Sequence, residues 1–254
     1  SVLKVTKRGM MDQFMDIKAE HPDTILFFRM GDFYELFHED AVTGSEVLGI
    51  ALTSRDKKAD KPIQMAGFPW HALEENIRVM LKAGHKVTVA EQERELREGA
   101  KLLERVVTRV YTPGSLYEES LLGTDERSLL IAIALDKTQI GIGVVDASTG
   151  QAWASNLRGD DRFSRALDEV LRWRPTEIVV SPHDAEDTSL CALFTHLDAV
   201  TISQHRASEN KRRDRLEKVL KVADLGHLDL DDAPLALAAA GLAADYLATM
   251  HIAD

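Results

Sequence analysis

The chain has 254 residues, 44% of them hydrophobic and 29% charged, with a formal net charge of −11. That length suits two ordinary domains, and the composition excludes disorder and fibrous repeats. The acidity argues against a general nucleic-acid binder, which would show a basic footprint, but it is uneven: residues 1–110 carry 17 Lys and Arg against 18 Asp and Glu, and residues 111–254 carry 14 against 24.

In chain order, Met10, Met11, Phe14, Met15 and Ile17 recur at helical spacing and predict an amphipathic helix ending near His21-Pro22. "TILFF" reads as a strand, Glu35 to about Leu48 as a polar helix, and "GIALTSR" and "KPIQMAGF" as short strands around the charged loop Asp56–Lys61. "HALEENIRVMLKAG" is a helix stopped at Gly84, and "KVTVAEQ" and "RVVTRVYTPG" complete the pattern of a mixed-sheet α/β domain. Pro113-Gly114 and the polar stretch behind it mark a boundary. Beyond it "SLLIAIAL", "QIGIGVVDAST" and "QAWASNL" are three successive strands. A helix over Arg162–Arg174, a strand "TEIVVSP", a helix around Leu190–His196, a strand "AVTIS" and a helix over Asn210–Val222 follow. Three strands and then alternating helices and strands is an RNase H-like order. The small-residue run "APLALAAAGLAADYLATM", interrupted by Asp245, reads as a tightly packed helix and not a membrane span. Cys191 is the sole cysteine, which excludes an internal disulfide and suits a reducing cytosol.

The stretch "FFRMGDFYELF", Phe27–Phe37, is the most pointed part of the sequence. Its ordinary reading is a buried strand entering a buried helix, because aromatic residues usually pack. Glu35 resists that reading. If the chain is extended past Gly31, residues 33 and 35 project to one side and Tyr34 to the other, so a ring and a carboxylate are displayed together. A second feature, the basic loop with Arg55, Lys57, Lys58 and Lys61, is either a solvated turn or a phosphate contact, to which Arg105 and Arg109 could add if they lie nearby.

Three long blocks carry a resemblance: "MMDQFMDIKAEHPDTILFFRMGDFYELFHEDA", "PIQMAGFPWHALEENIRVMLKAGHKVTVAEQ", and "ERVVTRVYTPGS" followed by "EESLL". In order and spacing they are similar to the N-terminal part of the MutS family of DNA mismatch-recognition proteins. The resemblance implies a mismatch-recognition domain over residues 1–112, a linker over 113–125, an RNase H-like connector over 126–243 and the start of a core helical domain over 244–254. It also implies that Phe33 and Glu35 form a Phe-x-Glu wedge entering the minor groove at a lesion, the ring stacking on a mispaired or unpaired base and the carboxyl group bonding to it. Met30 and Asp32 then flank the wedge, and Arg55 and Arg105 match positions near DNA. Lys57 and Lys58 are added on charge alone, and the segment from Met65 through Trp70-His71 reads as scaffold.

The implied partners are double-stranded DNA with mismatches or small insertion loops and, through the connector, a MutL-like protein; the parent is a homodimer, in the cytoplasm and, if bacterial, at the nucleoid. No GxxxxGK[ST] occurs in the sequence, so no cofactor is expected in this chain and no enzymatic activity. ATP and Mg²⁺ belong to the ATPase domain of the parent, and the end at "MHIAD" suggests excision. The family commonly carries Asp-Pro after the Glu-Gln found here at Glu91-Gln92, whereas this chain continues "ERELREGAKLLERV", a charged run read as helical. Two rival readings remain. One is a protein-interaction module without useful DNA affinity. The other is a two-metal nuclease built on Asp146 with Glu169, Glu177 or Asp184, which needs several acids to converge.

Overall fold

In the computed structural model the described residues are 9–55, 60–93, 103–115, 128–208, 210, 218 and 233–250. They fall into two compact units, divided between Tyr111 and Thr112. The basic-loop residues Lys57 and Lys58, the charged run at 94–102 and most of the helix expected over 210–222 lie outside the described residues.

The first unit runs α1 (Met10–Glu20), β1 (Thr24–Met30), β2 (Phe33–Phe37), α2 (His38–Leu48), β3 (Thr53–Arg55), β4 (Ile63–Pro69), a 3-10 turn at Trp70–Ala72, α3 (Leu73–Lys82), β5 (Lys86–Gln92) and β6 (Arg105–Tyr111). Its six strands form one mixed sheet in the order β3-β4-β2-β1-β5-β6, with β1 and β5 parallel and the other neighbours antiparallel. One expectation fails: Glu35–Phe37 belong to strand β2, not to a helix. Pairing with β4 along all three residues, and with β1 at Glu35, holds them extended. His38, at φ +54°, then turns the chain directly into α2.

Strand alternation sorts the apolar side chains between two faces. Phe14 and Ile17 of α1 pack on Phe28 and Phe37, and the rings of Phe14, Phe28 and Phe37 meet edge to face with centroids 5.1–6.5 Å apart. On the other face Phe27 and Tyr34 pack with Phe68. A buried carboxylate fastens these layers. Asp40 accepts from the Leu26 N–H at 2.9 Å and from Lys18 Nζ at 2.7 Å, joining α2, β1 and α1. It takes a strand N–H at a position where β2 has already left the ladder.

The second unit holds β7 (Leu129–Leu135), β8 (Gln139–Asp146), β9 (Gln151–Arg158), α4 (Arg162–Trp173), β10 (Glu177–Val180), α5 (Thr188–Phe194), β11 (Thr201–Gln204) and α6 (Pro234–Thr249). Its sheet order is β11-β10-β7-β8-β9, antiparallel across β7–β8–β9 and parallel across β7–β10–β11. This is the RNase H-like arrangement that the order of elements predicts.

Two domain limits read from the sequence shift. Thr112–Ser115 are built into the second unit. The Gly114 N–H donates to Glu177 at 2.9 Å, and the Pro113 carbonyl accepts from Ser128 Oγ and Thr176 Oγ1, each at 2.8 Å. Residues 244–249 do not begin another domain either. They continue α6, whose Ala239, Leu242, Ala243 and Tyr246 pack on Leu130, Ala132 and Val179.

The small residues of α6 have a physical reason. A Cβ placed on Gly141 would stand 1.9 Å from the Leu235 carbonyl oxygen, and one on Gly143 would stand 2.7 Å from the Ala240 nitrogen. The helix backbone therefore lies directly on β8. Gly141→Ala is expected to overpack this contact, at a cost of about 1–3 kcal/mol. Differential scanning calorimetry should show the melting of the second unit lowered by several degrees, at roughly 2–4 °C per kcal/mol.

Candidate nucleic-acid interface

The hairpin β1–β2 has a two-residue connection, Gly31-Asp32, with register pairs Met30↔Phe33, Arg29↔Tyr34 and Phe28↔Glu35. Gly31 sits at φ +60° and Asp32 stays out of the left-handed region, the II′ pattern that matches strand twist. Neighbouring groups pin the turn. The Gly31 N–H donates to Gln92 Oε1 at 3.2 Å, the Gly31 carbonyl accepts from Arg29 Nε at 2.5 Å, and the Asp32 carbonyl accepts from the Trp70 N–H at 2.8 Å.

Phe33, Glu35 and Phe37 project to one face. Phe37 lies under α1, whereas at the hairpin end the cover stops and Phe33 is 44% exposed. The buried-core reading of this ring is therefore set aside. Glu35 is half-buried between Phe28 and Gly67, its partners across the two ladders. Among the described residues it makes no hydrogen bond or ion pair, and burial raises its carboxyl above the ordinary value. Its position depends on Gly67, because a Cβ there would come within 2.3 Å of Glu35 Oε2.

Of the other expected residues, Met30 is half-buried opposite Phe33, and Asp32 is exposed in the turn, so four of them come together at one hairpin tip. The arginines do not join them as one patch. Arg55 ends β3 at one edge of the sheet and places a guanidinium N–H 3.4 Å from Met10 Sδ. Arg105 and Arg109 lie on β6 at the opposite edge, so no strand pairing links them to the Arg55 loop. Arg105 is only 9% exposed. It donates to the carbonyls of Arg29 and Leu103 at 3.1 and 2.7 Å and lies over the Phe28 ring, where it braces the strand leading to the turn.

Sequence reasoning passed over two residues. Trp70, read as scaffold, is 53% exposed beside the turn, and Arg29 stacks between the Tyr34 and Trp70 rings, its guanidinium carbon 5.2 and 5.6 Å from their centroids. The Tyr34 hydroxyl is committed to Glu91, and burial followed by that contact raises its pKa well above the ordinary range.

Three of the acids named for the nuclease reading are occupied individually. Asp146 accepts from Ser148 N–H and Oγ and from Thr149 N–H, an Asx turn; burial would raise its carboxyl, but these donors hold it below the ordinary range. Glu177 is fully buried and accepts from Gly114, Ser203 and Tyr246. Glu169 pairs with Arg172. Among the described residues no cluster of His, Cys, Asp or Glu could hold a metal ion, and no helix is long and apolar enough to cross a membrane.

The architecture thus defines a protein of two mixed-sheet α/β units, the first carrying an exposed aromatic-acid hairpin. The family model of MutS domain I matches residues 8–120 and that of MutS domain II matches residues 128–253. The chain belongs to the MutS family and carries these two domains. It is 41% identical over 240 residues to a DNA mismatch repair protein MutS of Anaeromyxobacter sp. (strain K), a match covering 94% of this chain and 26% of that protein. It is 37% identical over 248 residues to the DNA mismatch repair protein MutS of Symbiobacterium thermophilum, covering 96% of this chain and 28% of the relative. The chain therefore spans about a quarter of the length of these relatives.

The raised carboxyl of Glu35 has a measurable consequence. An acid whose folded pKa lies above its unfolded value contributes stability at low pH that is lost as pH rises through the folded pKa. Glu35→Gln is therefore expected to raise the melting temperature of the first unit near pH 7. The gain should shrink as pH falls and vanish below the unfolded carboxyl value, towards about pH 3, where Glu35 is neutral in both states. Thermal melts across that range check it; a gain independent of pH would contradict the assignment.

Proposed function

We propose that the chain reads mismatched duplex DNA by inserting the β1–β2 hairpin into the minor groove, Phe33 wedging against a mispaired or unpaired base and Glu35 bonding to that base. The observation that supports this reading most directly is the pairing of a 44%-exposed phenylalanine with an unpartnered, half-buried glutamate on one rigid hairpin. Unstacking a base step costs a few kcal/mol, and a kinked duplex wraps more protein surface in return. A mismatch is already poorly stacked, so the wedge enters there at lower cost, and discrimination follows deformability.

Glu35 adds the penalty. Its carboxylate repels any duplex through the phosphates, and a base edge freed from pairing offsets that repulsion by donating a hydrogen bond. A carboxyl with a raised pKa can also take a proton and donate to a base acceptor.

Met30 and Asp32 flank the insertion in this reading, Arg55, Lys57 and Lys58 supply phosphate contacts, and Arg105 acts through the strand it braces. DNA mismatch repair is the corresponding role of the parent, as a homodimer in the cytoplasm. We assign its ATP- and Mg²⁺-dependent step to a part of the parent other than domains I and II, and docking of a MutL-like protein to the acidic second unit.

The test is a fluorescence-anisotropy titration at low salt with matched, G·T and single-base-insertion duplexes. Phe33→Ala should abolish mismatch preference while leaving the thermal melt cooperative. Glu35→Ala should tighten binding to the matched duplex and narrow the preference. An unchanged ratio in both variants would overturn the wedge, and absence of binding to any duplex would favour the protein-interaction reading.

A further inference from the structure

Trp70 begins the 3-10 turn directly after β4, and its backbone N–H holds the Asp32 carbonyl of the hairpin turn at 2.8 Å. The indole is 53% exposed, more than Phe33, and its ring N–H has no partner among the described residues. An isolated exposed hydrophobe needs no explanation, but this one is part of an ordered stack. Arg29 lies between the Tyr34 and Trp70 rings, 5.2 and 5.6 Å from their centroids, with Nε bonded to the Gly31 carbonyl. Among the described residues Arg29 has no ion-pair partner: Glu91, on the adjoining part of the sheet, accepts from the Tyr34 hydroxyl instead.

The stack therefore presents a fixed cation, with guanidinium N–H groups to spare, beside an exposed aromatic platform. A guanidinium held this way matches a phosphate, and an indole face matches the flat side of a nucleotide. Both stand next to the turn that carries Phe33.

We propose that Arg29 and Trp70 form a second DNA contact, in which the guanidinium bonds a phosphate and the indole packs on an adjacent nucleotide. This rests on the wedge reading and deepens it. Phe33 and Glu35 sense whether a base is loosely held, whereas Arg29 and Trp70 grip the backbone without regard to pairing. Contacts to phosphate and sugar position a protein on the duplex but carry no information about the bases.

The experiment uses the whole chain and the same matched and G·T duplexes. Trp70→Ala should weaken both by a similar factor, about 5- to 150-fold, the scale of an aromatic platform lost from a nucleic-acid contact, and Trp70→Phe should recover most of the affinity. Arg29→Gln should lower the slope of log affinity against log salt by about one phosphate contact. As an independent readout, Trp153→Phe with Trp173→Phe leaves Trp70 as the sole tryptophan, and its fluorescence should change on adding either duplex. Unaltered affinity in Trp70→Ala together with silent Trp70 fluorescence overturns the proposal. If Phe33→Ala still loses mismatch preference in that case, the wedge survives and only the second contact falls. A Trp70→Ala loss confined to the G·T duplex overturns the division of roles, and failure of the unaltered chain to bind any duplex overturns both readings.

Discussion

The absence of a side chain at Gly67 determines what the hairpin tip can present. Glu35 and Gly67 are ladder partners, and the carboxylate lies over the glycine in space that a Cβ would fill. A carboxylate on a sheet face ordinarily swings to solvent or finds a cation. Here it lies across the ladder over Gly67, half-buried and unpaired, and burial raises its pKa. The cost is borne by the fold, which holds the acid there through two ladders and gains nothing from it that the structure shows. Strain or desolvation kept at one place without local compensation is a common mark of a working site.

The same logic applies to Phe33. Register pairs it with Met30 on one side and Pro69 on the other, and α1, which covers Phe28 and Phe37, stops short of it. A slip of one residue would exchange the faces, turning Tyr34 outward and Phe33 towards Phe68. Several contacts oppose that slip: the left-handed Gly31, the Gln92 and Trp70 bonds to the turn, and the Tyr34 hydroxyl on Glu91. Such over-determination suits the proposed wedge, because a loop free to deform would relax before it unstacked anything.

Much of this was legible in the sequence. Strand alternation around Gly-Asp placed residues 33 and 35 on one side, and the order of elements foretold the topology of the second unit. What escaped follows from the physics of tertiary structure. Glu35–Phe37 read as the start of a polar helix running to about Leu48, while ladder pairing, with β4 along all three residues and with β1 at Glu35, decides the matter. Trp70 read as scaffold because the Gly and Pro of its segment set a turn and the helix that follows packs on the sheet, and only the tertiary structure shows that it falls beside an uncovered turn. Arg105 read, by resemblance, as a residue near DNA, and residue type does not reveal where a guanidinium points; two backbone carbonyls hold it inside. The break in pattern at Pro113-Gly114 does not reveal which side the segment joins; hydrogen bonds with Glu177, Ser128 and Thr176 tie it to the second unit.

Charge completes the argument. The first unit is nearly neutral by sequence, and the excess of acid lies beyond residue 110. A strongly basic reading head would bind any duplex tightly and bury a small preference for lesions beneath a large indifferent attraction. A nearly neutral one keeps that attraction modest, so the energy of unstacking, which differs between sound and faulty pairs, remains a large share of the total. For the proposed wedge, a few fixed cations near the tip are then preferable to many mobile ones, since they orient the hairpin without swamping a comparison of sound and faulty pairs. Arg29, stacked between two rings and anchored to the turn, has the character that this argument requires.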